Sequence, residues 1–263
     1  MRTICIMNNK GGVGKTTTAV NLAAGLSRHD KRVLLVDLDP QGNVDLSLKI
    51  RAEYTLYDAL VGKIAIQRCI VNLGKNLDVI ASRETLAKAE HYMANQPNSR
   101  FLLRELLSKV TGYDYLIIDC PPSLGILNQN VLAFCKEAFI PTSTDYMGYD
   151  ALQKMHRIVS KINESYDHSI RITKIIPTLF DRRNRICKTT LADIKQNFPQ
   201  LTTEPIRNNS KLKEAPKTGK SIFSYSRSSP GAKDYGALVE AVLAMEVKPA
   251  PIPVASEELV QTF

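Results

Sequence analysis

Apolar positions along the chain fall into short continuous runs separated by longer amphipathic stretches. The runs stand near residues 3–7, 33–36, 77–80, 115–118, 138–141, 172–177 and 203–206, and stretches with helical spacing occupy 19–29, 99–110, 126–136, 150–163 and 234–245. A run such as Val33-Leu34-Leu35-Val36 shows no polar alternation, which marks a strand covered on both faces, as in a parallel sheet. Strands alternating with helices predict an α/β fold, a doubly wound, mostly parallel sheet with helices on both faces. With 263 residues and 44% hydrophobic content, the chain can bury one substantial core. A single domain over residues 1–247 is expected, followed by a proline-rich tail at 248–263. Pro249, Pro251 and Pro253 should stop the last helix and leave a mobile end.

The most specific chemistry follows the first apolar run. After Ile4-Cys5-Ile6-Met7 the chain reads NNKGGVGKTTT, then continues as a helix with Ala19, Val20, Leu22, Ala23 and Leu26 on one face. Glycine backbone can fold closely around a phosphate and aim several N–H groups at it. The helix adds the positive end of its dipole. On this reading Lys15 neutralises the β- and γ-phosphates of a nucleoside triphosphate and Thr16 offers its hydroxyl to Mg²⁺. Thr17 and the amides of Gly11, Gly12, Val13 and Gly14 hold the α- and β-phosphates. The ordinary phosphate loop also wants glycine where this chain has Asn9, so the plain pattern fails at its first position. Lys10 is an additional cation, and a second buried lysine is costly without an anionic partner.

Two later strands carry carboxylates at their C-terminal tips. The segment KRVLLVDLDPQGN ends its apolar run in Asp37 and Asp39, and YDYLIIDCPPSLG ends its run in Asp119. Ligands of open parallel sheets gather at that edge. A carboxylate in the position of Asp119 holds Mg²⁺, usually through water, and Pro121-Pro122 turns the chain beside the γ-phosphate. Taken singly, a strand-end aspartate is often only a turn or cap residue. Three phosphate-site elements in the expected order are more specific than any of them alone.

These segments, together with PIRNNSKLKEAPKTGKSIFSY near the C-terminus, resemble the deviant Walker A ATPases of the ParA/MinD superfamily. The likeness runs along nearly the whole chain and is strongest to ParA/Soj-type partition ATPases, whose siblings include McdA-like proteins that position carboxysomes. It implies that Lys10 reaches across a dimer interface to the nucleotide of the other subunit, making dimerisation depend on ATP. It implies that Asp39 polarises the attacking water, that Asp37 lies near the metal, and that Lys10, Lys15 and Asp39 carry the hydrolysis. Backbone groups around Pro205, Ile206 and Arg207 would grip the adenine, although Asn209-Ser210-Lys211 stand where relatives often carry Val-Arg-Leu or similar. The implied activity is slow, Mg²⁺-dependent ATP hydrolysis, stimulated by a ParB-like or McdB-like adaptor and used to distribute a plasmid, a chromosome or a protein organelle. Slowness also follows from the loop, which supplies no arginine finger and no strong general base.

Charge adds a second function. Of the net +9, Lys and Arg number 17 against 15 acids over residues 1–150 but 18 against 11 over 151–263, and 14 against 4 between Arg171 and Lys233. Two clusters stand out: Arg182, Arg183, Arg185 and Lys188, then Lys211, Lys213, Lys217 and Lys220. A charge run is often only a solvated face, yet this imbalance suits a phosphate backbone. No helix-turn-helix, zinc site or RNA-binding signature accompanies it, so the expected ligand is non-specific DNA, bound in a salt-sensitive way by the ATP dimer.

Other readings are less well supplied. A MinD-type membrane switch needs a basic amphipathic C-terminal helix, whereas SEELVQTF is acidic and follows prolines. An iron–sulfur relative would need paired cysteines, and Cys5, Cys69, Cys120, Cys135 and Cys187 are scattered, as expected of reduced structural thiols. A promoter-specific regulator would need a DNA-reading domain ahead of residue 3. The chain starts almost at once with its first strand, leaving no room for a signal peptide, and no stretch approaches the roughly 18 apolar residues of a membrane span. The expectation is a cytoplasmic, nucleoid-associated protein without membrane contact. Cargo and adaptor are not legible in Tyr146, Met147 and Tyr149, which replace a more usual Tyr-Leu-Ala pattern.

Overall fold

The computed structural model describes residues 1–165 and 168–246. Seven strands form one sheet: β1 (Arg2–Ile6), β2 (Val33–Asp37), β3 (Ile70–Asn72), β4 (Leu77–Ile80), β5 (Tyr115–Asp119), β6 (Glu137–Ser143) and β7 (Arg171–Thr178). Their order is β3-β4-β2-β5-β1-β6-β7, with only the edge pair β3–β4 antiparallel. All residues of β2 and β5 are buried, as their unbroken apolar runs require. The chain leaves β1 toward β2 on one side and later places β6 on the other, so a topological switch point lies at the C-terminal end of β1.

Eleven helices among the described residues cover the sheet: α1 (Lys15–Arg28), α2 (Asn43–Leu48), α3 (Leu56–Leu60), α4 (Leu86–Ala94), α5 (Leu102–Leu107), α6 (Ile126–Leu132), α7 (Tyr146–Ser165), α8 (Arg185–Asn197), α9 (Ser210–Glu214), α10 (Ile222–Tyr225) and α11 (Pro230–Leu243). Alternate strand residues divide them into two layers. Cys5, Leu34, Val36, Leu116 and Ile118 face a core completed by α3 to α8. Ile4, Ile6, Val33, Leu35 and Ile117 face one completed chiefly by α1 and α11. The expected doubly wound sheet is therefore present. All five cysteines are buried and unpaired, and no described helix is long and apolar enough to cross a membrane.

Several boundaries differ from the sequence pattern. The expected strand at 203–206 is instead an irregular segment beside β7, making only isolated parallel bridges at Thr202 and Arg207. Ile206 N–H reaches Pro177 O at 2.8 Å and Thr203 N–H reaches Ile175 O at 2.9 Å, but Pro205 has no N–H to continue the ladder. The stretches at 99–110 and 126–136 shorten to α5 and α6. Helix α7 starts ahead of the expected 150 because the Asp145 carboxylate accepts the Gly148 N–H at 2.7 Å and caps its first turn. Helix α8 went unpredicted: in RICKTTLADIKQN only Cys187, Thr190 and Ile194 are buried, too sparse a stripe to read as a periodic face. The proline-rich tail lies outside the described residues.

Candidate active site

The loop after β1 is anchored from below and left open above. Asn8 donates its side-chain N–H to Pro141 O at 2.8 Å and accepts the Lys10 N–H at 2.9 Å. Gly12 and Gly14 have φ of 73° and 87°, a left-handed conformation that costs glycine little. Gly14 caps α1 without any side-chain bond, so the first N–H groups of that helix keep their capacity for an anion. Thr178 Oγ donates to Val13 O at 2.8 Å and ties the loop to β7.

Three carboxylates meet the loop. Parallel pairing sets Asp37 directly beside Asp119, and both are fully buried. The Asp37 oxygens accept the Asp39 and Val44 N–H groups, each at 3.0 Å, so this residue shapes the turn from β2 into α2. Burial and the neighbouring Asp119 push its pKa well up, against those two N–H groups. Asp119 has no hydrogen-bond partner in ordinary geometry on either oxygen. Burial raises its pKa to about 7, opposed by the Thr16 hydroxyl and the Lys15 ammonium. Burial lowers the Lys15 pKa, while Asp119, Cys120 and Asp39 hold it up. Asp39 accepts the Gln41 N–H at 3.0 Å. Asn128 holds the turn after β5, donating to Pro121 O at 3.0 Å and also to Ser123 O.

These groups line a cleft of about 410 Å³ running from Gly11, Gly12 and Gly14 past Lys15, Thr16 and Thr17 to Asp39 and Pro122. A second cavity, of about 260 Å³, shares Gly12, Gly14 and Thr17 and continues onto Ile206, Arg207, Leu212, Pro216 and Tyr235. A phosphate chain and an apolar base fit the two in succession. Pro205 does not line the second cavity. The N–H groups of Ile206, Arg207 and Asn208 are taken by Pro177 O, Asp234 and Phe180 O, and Ile206 O accepts the Phe180 N–H at 3.2 Å, which leaves the Arg207 and Asn208 carbonyls to meet a base. Asp119 with its two orphaned oxygens, next to the Thr16 hydroxyl, suits Mg²⁺, which takes few protein ligands beside phosphates and water. Among the described residues no group of three His, Cys, Asp or Glu side chains forms a metal cage.

Lys10 has a partner that the sequence did not disclose. Its ammonium lies 2.7 and 3.0 Å from the two Asp145 oxygens and 3.0 Å from Ser143 Oγ, so within one protomer it is tied to the end of β6. Asp145 loses some of its basicity-raising burial effect to this contact and stays below the ordinary carboxylate range. The chain bends sharply there: a Cβ on Gly148 would stand 2.0 Å from Ser143 O. Asp145 could have been suspected only by asking which acid precedes the helix after β6.

None of the basic clusters lines the phosphate cleft, but Lys213 lines the base cavity. Arg182 and Arg183 precede α8, while Arg185 and Lys188 occupy its first turn, where the helix dipole disfavours cations. Arg183 is tied to Asp181 at 2.8 Å and Lys211 to Glu214 at 2.7 Å. Arg182, Arg185, Lys188, Lys213, Lys217 and Lys220 are exposed and none of them joins the ion pairs among the described residues.

A parallel sheet with a glycine loop at its switch point and carboxylates on the adjoining strand tips defines a phosphate-loop nucleoside triphosphatase. A family model described as an AAA domain matches residues 1–172. The chain is 36% identical over 256 residues to the chromosome partitioning protein ParA of Myxococcus xanthus (strain DK1622), covering 95% of this chain and 90% of that protein. It is 37% identical over 247 residues to the sporulation initiation inhibitor protein Soj of Bacillus subtilis (strain 168), covering 92% and 98%. A cobyrinic acid a,c-diamide synthase from Mycobacterium smegmatis, solved with a bound ATP analog and magnesium, is similar in structure, with a TM-score of 0.82, 26% identity and coverage of 96% and 98%. The chain belongs to the AAA-domain family and, within it, to the ParA/Soj partition ATPases.

Proposed function

We propose that this partition ATPase is a Mg²⁺-dependent switch whose ATP-bound homodimer binds non-specific DNA and distributes a cargo, with hydrolysis stimulated by a ParB-like or McdB-like adaptor. The observation that carries the catalytic part is Asp39 standing on the wall of the loop's own cleft, two residues from Asp37 and within the field of Lys15. Lys15 and the amides of Gly11 to Gly14 bind the phosphates, Thr17 adds its hydroxyl, and Thr16 with Asp119 and Asp37 holds the metal side. Held by those residues, Mg²⁺ would supply neutralisation of phosphate charge. Asp39 orients a water in line with the γ-phosphate and draws on its proton. With no arginine within the cleft, the resting rate is low. The nucleobase lies in the cavity between Ile206 and Tyr235. One domain over residues 1–247 carries all of this.

The Lys10–Asp145 pair supports dimer control. Lys10 cannot serve a partner's phosphates while its ammonium is on Asp145, so association requires exchange of one anion for another. Tyr146 and Met147, 76% and 60% exposed, sit immediately beside that pair and offer an apolar seam to a second protomer or an adaptor. Free cations at Arg182, Arg185, Lys188, Lys213, Lys217 and Lys220 support the DNA part, and a cytoplasmic, nucleoid-bound location follows from it.

The test is Asp39→Ala. It should bind ATP with affinity near the unsubstituted protein, hydrolyse it about 100-fold more slowly, and remain on duplex DNA in sedimentation. Hydrolysis at the ordinary rate would remove Asp39 from the mechanism. Sedimentation with anionic liposomes separates the MinD-type alternative.

A further inference from the structure

Far from the loop, at the other end of α1, lies a cavity of about 290 Å³ that the nucleotide chemistry does not use. Its walls are the last turn of α1, the β3–β4 hairpin and the turn before α10, and Arg28, Lys75 and Lys220 line it with Ser27, Ser221 and Ser224. Lys49 lies against the same turn: Gly219 has φ of +70°, and a Cβ there would stand 3.1 Å from the Lys49 side-chain stem. The lysine stem is thus packed while the residue stays exposed. The acid at this mouth is Asp30, 2.8 Å from Lys75. Arg28 lies over the Phe223 ring, 5.9 Å from its centroid, and neither Arg28 nor Lys220 joins an ion pair among the described residues. Three cations and no acid among the lining residues, with Lys49 against the same turn, around a concave, hydroxyl-lined space make a surface for phosphate.

The cavity is continuous with a candidate DNA face. The segment from Ser210 to Ser224 borders the base cavity through Leu212, Lys213 and Pro216 and this one through Gly219, Lys220 and Ser224. Lys213, Lys217 and Lys220 therefore lead along the outside of α1 from one to the other. We propose that this cavity is a second phosphate-holding site, and that the DNA backbone follows the strip from Lys213 into it, with Arg28, Lys49 and Lys75 as contacts beyond the two clusters seen in the sequence. The proposal rests on the DNA-binding reading above.

The experiment measures binding of the ATP-loaded full chain to a random-sequence duplex by fluorescence anisotropy over a salt series. Each phosphate contact removed lowers the slope of log K against log salt by about 0.9. Arg28→Ala with Lys75→Ala, the latter already tied to Asp30 at 2.8 Å, should lower it by between about 1 and 2 per protomer, weaken binding several-fold at low salt, and leave ATP binding and basal hydrolysis unchanged. An unaltered slope, with the unsubstituted protein still binding DNA, would overturn this site and leave the DNA reading standing. No duplex binding by the unsubstituted protein would remove both. Tripolyphosphate is titrated in parallel by heat of binding: if it binds and needs Arg28 while the DNA slope is unmoved, the phosphate comes from a free ester and the DNA assignment fails.

Discussion

The C-terminal edge of the sheet and the strip from Lys213 to Arg28 handle charge in opposite ways. At the edge, Asp37, Asp119 and Lys15 are buried and crowded, with Asp119 lacking hydrogen-bond partners and pushed to a pKa of about 7. On the strip, lysines and arginines stand exposed and few have acids beside them. Buried charge is costly, so a site that keeps it must be completed by a ligand of matching charge and shape. Exposed charge costs little and is screened by salt. The first arrangement suits one small ligand held in fixed geometry; the second suits a long polyanion held loosely and released when the protein changes state.

The strongest way to break this contrast is at Lys15. Lys15→Ala should weaken ATP binding about 100-fold, the loss of one or two charge-assisted contacts, as measured by isothermal titration. A loss below a few-fold would mean that the buried lysine does not face the phosphates. Asp119→Asn tests the burial cost. The folded state holds the Asp119 proton more tightly than the unfolded chain, so ionisation opposes folding increasingly from about pH 4 to about pH 7. Without nucleotide, the variant should melt about 5 °C above the unsubstituted protein at pH 8, with the difference gone near pH 4. A variant that melts lower at pH 8 would show that the carboxylate is compensated after all.

Smaller effects sharpen the boundary between the regions. Asp145→Asn keeps an acceptor for the Gly148 N–H but removes the charge on Lys10. That pair is partly exposed, so ATP-dependent dimerisation in sedimentation velocity should shift to about 3-fold lower protein concentration. No shift would remove Asp145 from dimer control. The smallest effect separates two neighbours on the strip. Lys213→Ala should lower the salt slope of DNA binding by about 1, whereas Lys211→Ala, already tied to Glu214 at 2.7 Å, should lower it by less. Equal slopes for both would make the intramolecular pairing irrelevant.

Much of the nucleotide edge was legible because its requirements are local. Gly12, Gly14, Lys15, Thr16 and Thr17 are contiguous, and Asp37, Asp39 and Asp119 end apolar runs that could be read as buried strands. Lys10 was legible as an anomaly, but its partner Asp145 is 135 positions away and belongs to no local pattern. The expected strand at 203–206 failed on Pro205, whose missing N–H is a local fact that the apolar run concealed. Helix α8 was missed because a helix on one side of a sheet edge needs only a narrow apolar stripe. The basic excess could be counted along the chain, yet its geography could not: Arg28 and Lys75 are far in sequence from Lys220 and share its cavity only after folding.

By itself the sequence determined that parallel strands would be buried on both faces and that a glycine loop, a lysine and strand-tip carboxylates would share one edge. Both follow from short-range chemistry: apolar runs must be covered, and phosphates need close backbone and positive charge. Only the tertiary structure decided which carboxylate would be left without partners, where Lys10 rests in a single protomer, and how Arg28, Lys75 and Lys220 from three separate segments line one cavity. Those are outcomes of packing, in which burial and distance between remote residues set the energy of each charge.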